Sequence, residues 1–260
     1  MKKKHKLFAI FVLAAAFIAV MAIKNDGALK TDDFTRLELQ EAIDKLYNTL
    51  ADRKQYDGIK NASTTAFADI DADLLQSAMT AAMNAYLPTP EAQLDGYVLI
   101  ARHKYPNGLN ATVFSDEAGI VIIAFRGTDD KADIPSDVQI VNGELPEQFA
   151  EAQKLYEDVQ RENPSAKIIL AGHSLGGSLA QLIAAKNPKA AAFACAPVGT
   201  GNVVKNNTEL ADTGNVYNYL TKGDAFSNTL PQIGKSRVFE TKKINGQPFG
   251  RHSVLNCLDR

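Results

Sequence analysis

The strongest restriction on the fold comes from a serine that stands between two glycines where a strand pattern turns into a helix pattern. In "KIILAGHSLGGSLAQLIAA", residues 167–185, a β-branched apolar run leads through Gly172, Ser174 and Gly176 into an alanine-rich stretch. A serine in so sharp a turn takes a strained backbone conformation, and the residues two before and two after it must be small. The pattern predicts a nucleophile elbow; a structural turn that uses glycine and serine is the alternative interpretation.

The segments around this elbow alternate between strand and helix patterns. Three short apolar runs separated by turn residues predict a β-meander, and helices and strands then follow one another. This alternation predicts crossover units and an α/β fold with a mainly parallel central sheet and flanking helices. The predicted strands are 97–102, 111–115, 120–125, 167–171, 190–196 and 215–220, and the predicted helices are 146–162 and 175–185.

Further helical patterns lie at both ends of the predicted sheet region. Apolar residues at helical spacing occupy 32–53 and 71–86, and residues 251–258 are compatible with a short closing helix. We therefore expect residues 24–260 to form a single α/β domain with N-terminal helices at about 32–86.

The chain begins with a basic cluster that is followed by an apolar run. Four lysines and a histidine occupy positions 2–6, and an uncharged run extends from Leu7 to Ile23. The run is close to the lower limit of a membrane span, roughly 17–25 residues, and longer than a signal-peptide core of about 7–15. Residues 1–23 are predicted to be a signal peptide cleaved after Ala22 or an N-terminal membrane anchor. Both alternatives predict an exported domain, either secreted or periplasmic, or anchored with the domain outside the cytoplasm.

Charge and side-chain spacing argue against two classes of partner. Without the four lysines of the leader, about 24 basic side chains stand against 30 acidic ones. No basic cluster interleaved with aromatic residues follows, so nucleic acid is not an expected partner. No group of histidine, cysteine and acidic residues has the spacing of metal ligands, and we expect neither a metal nor another cofactor.

The two cysteines, Cys195 and Cys257, leave two interpretations open. An exported location permits a disulfide, but an isolated pair is not a disulfide framework. Two buried free thiols are an equally good interpretation.

A serine hydroxyl needs a base to become a nucleophile, and the chain has four histidines. His5 lies in the leader, and His103 is expected in a solvated turn of the meander. His173 adjoins Ser174, but neighbouring side chains diverge in an elbow, so we expect it to pack or hydrogen-bond beneath the turn. By elimination, His252 in "GRHSVLNCL" is the predicted base.

A carboxylate must orient that histidine, and the α/β-hydrolase order is serine, acid, histidine. Four acids lie between Ser174 and His252: Glu209, Asp212, Asp224 and Glu240. Asp224 follows a predicted strand in a "KGD" turn, at the strand end where such sites assemble. We expect Asp212 at a short helix end. Asp224 is therefore the predicted acid, with a solvated turn residue as the alternative.

Backbone N–H groups can stabilise the oxyanion that forms when a serine attacks a carbonyl. The amide of Leu175 lies at the start of the predicted helix, where N–H groups have no partner within the helix. A second donor is expected from the loop after the strand at 120–125, in "IIAFRGTDD", where Gly127 permits a tight backbone and Thr128 can offer both its N–H and its hydroxyl. We expect Arg126 to form an ion pair that holds this loop, rather than to bind a lipid headgroup.

Four blocks of the chain resemble the class 3 lipases, the fungal-lipase-like family of the α/β-hydrolase superfamily, and their bacterial-type members. The resemblance covers roughly 78–258 and implies an α/β-hydrolase fold that cleaves carboxylic esters of lipids. It implies Ser174 as nucleophile, Asp224 as orienting acid and His252 as general base and acid, with Thr128 and Leu175 as the oxyanion hole. The blocks are "AFRGT" at 124–128, "GHSLGG" at 172–177, "GD" at 223–224 and "HS" at 252–253.

The resemblance also implies a lipid or small ester as substrate and permits contact with a membrane surface. Residues 129–143 stand where the family has a lid, and their polar content predicts a modest hinged flap or a fixed loop. The chain departs from the family in having no tryptophan, and Ala194 or Cys195 replaces a family glycine. Both departures bear on the substrate rather than on the hydrolytic groups.

These residues support three hypotheses about the function. The first is an exported serine hydrolase, a lipase, phospholipase or esterase that works through an acyl-enzyme. The second is an acyltransferase or thioesterase with the same triad. The third is a noncatalytic lipid-binding module, against which the presence of all three triad residue types in the right order argues.

Overall fold

The computed structural model describes residues 67, 70–87, 94–129, 131–212, 214–224, 226–228, 230–240 and 252–258. The predicted leader at 1–23 and the helical pattern at 32–53 lie outside the described residues. Within the described ranges, no helix has both the length and the apolar character that crossing a membrane requires.

The described residues form one mixed seven-stranded sheet in which the spatial order of the strands is their order in the chain. The first three strands pair antiparallel as a meander. The third to the seventh pair parallel, which places their carboxyl ends at one edge of the sheet. The strands are β1 Val98–Lys104, β2 Asn110–Ser115, β3 Ile120–Phe125, β4 Lys167–His173, β5 Ala191–Cys195, β6 Val216–Thr221 and β7 Lys235–Phe239.

Helices connect the parallel strands and cover the sheet. Asp71 caps the first helix by accepting hydrogen bonds from the N–H groups of Asp73 and Leu74, and Gly143, with φ of 77°, ends the second. The helices are α1 Ala72–Asn84, α2 Ile134–Asn142, α3 Phe149–Glu162, α4 Leu175–Lys186 and α5 Gly201–Asn206, with 3₁₀ turns at Lys131–Asp133 and Val254–Cys257.

Alternation along the central strands produces two apolar cores, one on each face of the sheet. Ile168 and Leu170 of β4 belong to the core that α3 and α4 cover, whereas Ile169 and Ala171 belong to the core that α1 covers. Residues 175–185 of α4 are all buried. The turn between β4 and α4 is therefore fixed at both ends by packed elements.

The predicted α/β fold is confirmed, as are the meander, the mainly parallel sheet and the alternation that surrounds the elbow. Three elements were not predicted, namely α2, α5 and β7. Polar side chains interrupt the apolar pattern of β7, which lies at the edge of the sheet and needs less apolar surface.

Two expectations about single residues were wrong. His103 lies within β1, half-buried and stacked against Tyr105, rather than in a solvated turn. Asp212 is not at a helix end: its carboxylate accepts hydrogen bonds from the N–H groups of Gly214 and Gly234 and ties two loops together.

Candidate active site

Ser174 occupies a strained turn between β4 and α4. Its φ is 56°, a left-handed value that is rare for residues other than glycine. A Cβ added at Gly172 would lie 2.2 Å from the carbonyl oxygen of Gly176, and one added at Gly176 would lie 2.1 Å from that of Phe125. The predicted need for glycine two residues before and two after Ser174 is therefore confirmed.

Ser174, His252 and Asp224 are joined by hydrogen bonds across three separate segments. Ser174 Oγ lies 2.8 Å from His252 Nε2, and His252 Nδ1 lies 2.8 Å from Asp224 Oδ2. A hydroxyl that donates to Nε2 requires the imidazole proton on Nδ1, where it donates to the carboxylate. Asp224 is fully buried, and Ser174 is partly exposed at the surface. The structure thus brings together the three residues that the sequence predicted as the triad.

The turn after β6 surrounds the carboxylate of Asp224. Asp224 follows Thr221, the last residue of β6, by three positions, as expected from the "KGD" turn. Oδ1 accepts a hydrogen bond from the N–H of Phe226 at 3.0 Å, and Oδ2 accepts one from Ser227 Oγ at 2.6 Å. The ring of Phe226 also lies 4.6 Å from that of His252, centroid to centroid. This turn therefore contacts the acid and the base together.

A disulfide joins the segment that carries His252 to the sheet. Cys257, in the closing 3₁₀ turn, is bonded to Cys195, the last residue of β5. Of the two interpretations of the cysteines, the structure supports the disulfide. The same strand end contacts the elbow, because the N–H of Ser174 donates to the carbonyl oxygen of Cys195 at 3.0 Å.

His173 lies beneath the elbow and forms hydrogen bonds with His252 and with Tyr86. Its Nε2 lies 2.6 Å from the carbonyl oxygen of His252, so Nε2 carries the proton and donates it. Burial lowers the pKa of His173 to about 3, with the nearby His252 as a second cause, so the ring is neutral at ordinary pH. Its role agrees with the expectation that it hydrogen-bonds beneath the turn and is not the base.

Tyr86 extends this chain of hydrogen bonds to the loop that follows β3. Because Nε2 of His173 carries the ring proton, its Nδ1 accepts, and the Tyr86 hydroxyl 2.9 Å away donates to it. The same hydroxyl oxygen accepts a hydrogen bond from the N–H of Gly127 at 3.0 Å. A Cβ on Gly127 would collide with Tyr86 Oη at 2.2 Å. Gly127 is thus required by packing, and the backbone that leads to Thr128 is held in place.

Thr128 is anchored by an acid that was not predicted. Its Oγ1 donates to Asp137 Oδ2 at 2.7 Å, so its backbone N–H is the group that we assign to the oxyanion. Burial raises the pKa of Asp137 to about 7, partly offset by the hydrogen bond from Thr128. At neutral pH this carboxyl group, which lies next to the predicted oxyanion hole, is therefore present in both its protonated and its ionised form.

Where the resemblance implies a lid, the described residues 131–142 form a 3₁₀ turn and the helix α2, and hydrogen bonds and ion pairs connect them to neighbouring elements. Asp133 accepts hydrogen bonds from Gln148 Nε2 at 2.8 Å and from the N–H of Asp129 at 2.9 Å. Arg126 forms ion pairs with Asp129 at 3.0 Å and Asp133 at 3.3 Å, as expected of a residue that holds this loop. Ile140 and Val141 of α2 are buried. Residues 131–142 thus form a 3₁₀ turn and a helix rather than a loop, and these contacts connect them to the rest of the domain.

Three residues of the site escaped the sequence analysis: Tyr86, Asp137 and Ser227. Each acts through a contact that is distant in sequence or depends on a turn geometry, and none belongs to a recognisable motif. An acid nine residues after the oxyanion threonine could have been noticed for Asp137. Among the described residues, no group of three or more histidine, cysteine or acidic side chains could hold a metal ion.

The arrangement can move one proton over a short path. A hydroxyl on a strained turn faces an imidazole, and a buried carboxylate fixes the tautomer and stabilises the cation that forms on proton transfer. The N–H of Leu175, at the start of α4, and that of Thr128 are the predicted oxyanion donors. This combination suits acyl transfer from an ester or thioester.

Comparison with known proteins gives one family match. The model of the family described as "Phospholipase-like: Tle-like phospholipase domain" matches residues 52–244. That range includes Ser174, Thr128 and Asp224 and ends before His252. No curated protein matches this sequence significantly.

Solved structures of fungal lipases resemble the chain at low identity. The Lip2 lipase of Yarrowia lipolytica is 13% identical and covers 75% of this chain and 91% of its own, with a TM-score of 0.48. The lipase of Rhizopus microsporus var. chinensis is 14% identical, with coverages of 79% and 92% and a TM-score of 0.46. The Rhizomucor miehei lipase in its propeptide complex is 15% identical, with coverages of 92% and 91% and a TM-score of 0.46. Likeness at this level carries no information about activity.

Proposed function

The chain belongs to the Phospholipase-like family as a Tle-like phospholipase domain, and on that premise we propose that it cleaves carboxylic ester bonds of lipids through Ser174, His252 and Asp224. The family match extends over most of the chain and makes it a phospholipase-like ester hydrolase. The proposal adds the residues, the acyl-enzyme and the exported location. The observation that carries it is the continuous hydrogen-bonded path from Ser174 Oγ through His252 to Asp224.

In the first half of the reaction, Ser174 Oγ attacks the carbonyl carbon of the ester. His252 Nε2 takes the hydroxyl proton, and Asp224 stabilises the imidazolium while remaining ionised. The carbonyl oxygen becomes an oxyanion between the N–H groups of Leu175 and Thr128. When the tetrahedral intermediate collapses, His252 returns the proton to the leaving alkoxide, and the acyl group stays on Ser174.

In the second half, a water molecule takes the place of the departed alcohol. His252 removes a proton from this water, and the resulting attack on the acyl carbon passes through a second oxyanion in the same place. Ser174 Oγ leaves with the proton that His252 returns, and the carboxylic acid is released. The state of His173 supports this assignment, because its lowered pKa of about 3 keeps the ring neutral and both of its ring nitrogens are hydrogen-bonded, to Tyr86 and to the carbonyl oxygen of His252.

Two features support an exported location. The basic and apolar leader at 1–23 has the composition of a signal peptide or an anchor. The Cys195–Cys257 disulfide is of a kind that persists in oxidising compartments and is rare in the cytosol. We propose that the domain acts outside the cytoplasm, where a membrane surface is the source of its lipid substrates.

The test is an ester series on the purified domain, residues 24–260. It includes soluble p-nitrophenyl esters of increasing chain length, a triglyceride emulsion and phosphatidylcholine vesicles, each also assayed with Ser174→Ala. We expect hydrolysis of long-chain or phospholipid esters that the Ala variant loses by a factor of about 10³ or more. Preference for short soluble esters would reduce the proposal to an esterase, and hydrolysis that survives in the variant would exclude Ser174 as nucleophile.

A further inference from the structure

We propose that Ser227 is a positioning residue for the catalytic acid: its hydroxyl holds Asp224 in the orientation in which the carboxylate receives His252. This inference rests on the proposed function, because it assigns a task to a side chain next to the triad. Ser227 lies three residues after Asp224, in the turn that follows β6. Both side chains are fully buried.

Ser227 and His252 bind the same carboxylate oxygen of Asp224. Ser227 Oγ lies 2.6 Å from Asp224 Oδ2, and His252 Nδ1 lies 2.8 Å from it. The other carboxylate oxygen, Oδ1, accepts the N–H of Phe226 at 3.0 Å. A carboxylate oxygen has lone pairs for both donors, so the hydroxyl and the imidazole do not exclude each other. Together with the N–H at Oδ1, the hydroxyl fixes the plane of the carboxylate.

The Ser227 hydroxyl donates its proton to Asp224 rather than to Asn228. A serine has one proton to donate, and two acceptors lie within reach, Asp224 Oδ2 and Asn228 Oδ1 at 3.4 Å. Asn228 is itself oriented, because its Nδ2 donates to the carbonyl oxygen of Thr221 at 2.9 Å. The proton goes to the nearer, charged acceptor, and hydrogen bonds to carboxylates are roughly twice as strong as neutral ones.

Hydrogen bonds from the Gln232 side chain hold the backbone of Ser227 in place. Its carbonyl oxygen accepts Gln232 Nε2 at 2.8 Å, and the same nitrogen donates to the carbonyl oxygen of Pro197 at 3.1 Å. Gln232 Oε1 accepts Gln181 Nε2 at 2.7 Å, which connects the turn to α4. A partly buried network of hydrogen bonds thus connects the turn that carries the hydroxyl to the helix that begins at the elbow.

The consequence concerns the rate of proton transfer rather than substrate binding. Without the hydroxyl, the carboxylate loses one of the donors that set its orientation, and the hydrogen bond to His252 Nδ1 loses its alignment. The imidazolium of the transition state is then stabilised less, whereas the substrate pocket is unchanged. A change of this kind lowers kcat and leaves KM unaltered.

The experiment measures kcat and KM of the full-length protein on one ester for Ser227→Ala and Ser227→Thr. Ser115→Ala is the matched control, because the Ser115 hydroxyl donates to the carbonyl oxygen of Asp116 at the end of β2, which runs antiparallel to β3 and so ends at the opposite edge of the sheet. We expect about a tenfold lower kcat with unchanged KM for Ser227→Ala, recovery to within about threefold of the wild type for Ser227→Thr, and no change for the control. Thermal unfolding and fluorophosphonate titration of active sites accompany each variant, so that kcat refers to folded enzyme.

Two results would overturn the inference. One is a wild-type kcat in Ser227→Ala, and the other is an equal loss in the Thr variant although both remain folded, because the hydroxyl would then not be the cause. Ser174→Ala is assayed in parallel. If the wild type has no activity that depends on Ser174, the proposed function fails; if it has such activity and Ser227→Ala retains it in full, the positioning role alone fails.

Discussion

Asp137 is a buried carboxyl group whose protonation makes the stability of the folded chain depend on pH. It is 7% exposed, and its Oδ2 accepts the hydroxyl proton of Thr128. Burial raises its pKa from 3.8 to about 7. The folded state therefore binds this proton more tightly than the unfolded chain does. The protonated Asp137 carboxyl therefore contributes to the free energy of unfolding. This contribution is fully present below about pH 4 and is lost as the pH rises through 7.

We predict that Asp137→Asn flattens the pH dependence of stability. Between pH 5 and pH 8 the wild type should lose about 2 to 3 kcal/mol of unfolding free energy that the Asn variant keeps, because an amide does not ionise. Urea unfolding of both proteins at the two pH values measures this difference. Asp158→Asn, at a partly exposed acid of α3 that pairs with Lys154 and Arg161, is the control and should keep the wild-type slope. Equal slopes for Asp137→Asn and the wild type would contradict the prediction.

At this scale the sequence predicted residues whose chemistry is tied to a local pattern. Ser174 was found from its two glycines, Asp224 from its turn after a strand, and His252 because the other histidines had poorer positions. Asp137 and Ser227 could not be found in this way. Their partners are chosen by the fold, and an aspartate or serine in a polar stretch has the same local pattern whether it is buried or exposed.

The turn from β4 to α4 is the element that presents the nucleophile. Its geometry depends on close backbone approaches rather than on side-chain contacts. Gly176 packs against the backbone of Phe125 at the end of β3, and Gly177 lies opposite Gly172 and Pro197 with more room. The two adjacent glycines therefore differ in how much they tolerate a methyl group.

We predict a much larger effect of alanine at Gly176 than at Gly177. In Gly176→Ala the new Cβ would lie 2.1 Å from the Phe125 carbonyl oxygen, so the backbone must shift, at a cost of about 1 to 3 kcal/mol or more, with loss of Ser174 reactivity. In Gly177→Ala the nearest atoms, the Gly172 carbonyl oxygen and Pro197 Cβ, are 3.1 Å away, so a shift of a few tenths of an ångström relieves the contact, and the helix propensity of alanine offsets part of its cost. Unfolding midpoints and fluorophosphonate labelling rates measure both. A fully active Gly176→Ala protein would show that the turn is not under this constraint.

Elements with a strong apolar period were predicted well, and those without it were not. The strands β2 to β6 and the helices α1, α3 and α4 follow apolar spacing closely. The helix α2 was expected as a flap or loop because polar residues dominate 129–143, but Pro135 near its start, Gly143 at its end and the buried Ile140 and Val141 stabilise a helix there. Arg126 and Gln148, which lie outside this local pattern, contact Asp133 at the start of the helix.

At the scale of the molecule, the site depends on segments that are far apart in the chain. His252 belongs to a closing segment that the Cys195–Cys257 disulfide joins to β5 across a sequence separation of 62 residues. The carbonyl oxygen of His252 is held by His173 as well. The sequence left the disulfide undecided, because two cysteines in isolation do not reveal whether the fold brings them together.

We predict that removal of the disulfide affects stability and activity together. The double variant Cys195→Ala and Cys257→Ala should lose about 2 to 5 kcal/mol of unfolding free energy, and kcat should fall because the segment carrying His252 gains freedom. Chemical denaturation and ester hydrolysis of this variant, and of the wild type before and after reduction, measure the effect. Reduced and oxidised wild type with identical stability and kcat would contradict it.

The most direct test of the account is covalent labelling of the domain by a fluorophosphonate, with the modified residue located by mass spectrometry. We predict one adduct, on Ser174, at a rate that falls by a factor of about 10³ or more in His252→Ala and substantially in Asp224→Asn. Ser178→Ala, which removes a buried hydroxyl from the same helix, should leave the adduct on Ser174. An adduct on another residue, or labelling of Ser174 at the wild-type rate without His252, would contradict the central claim.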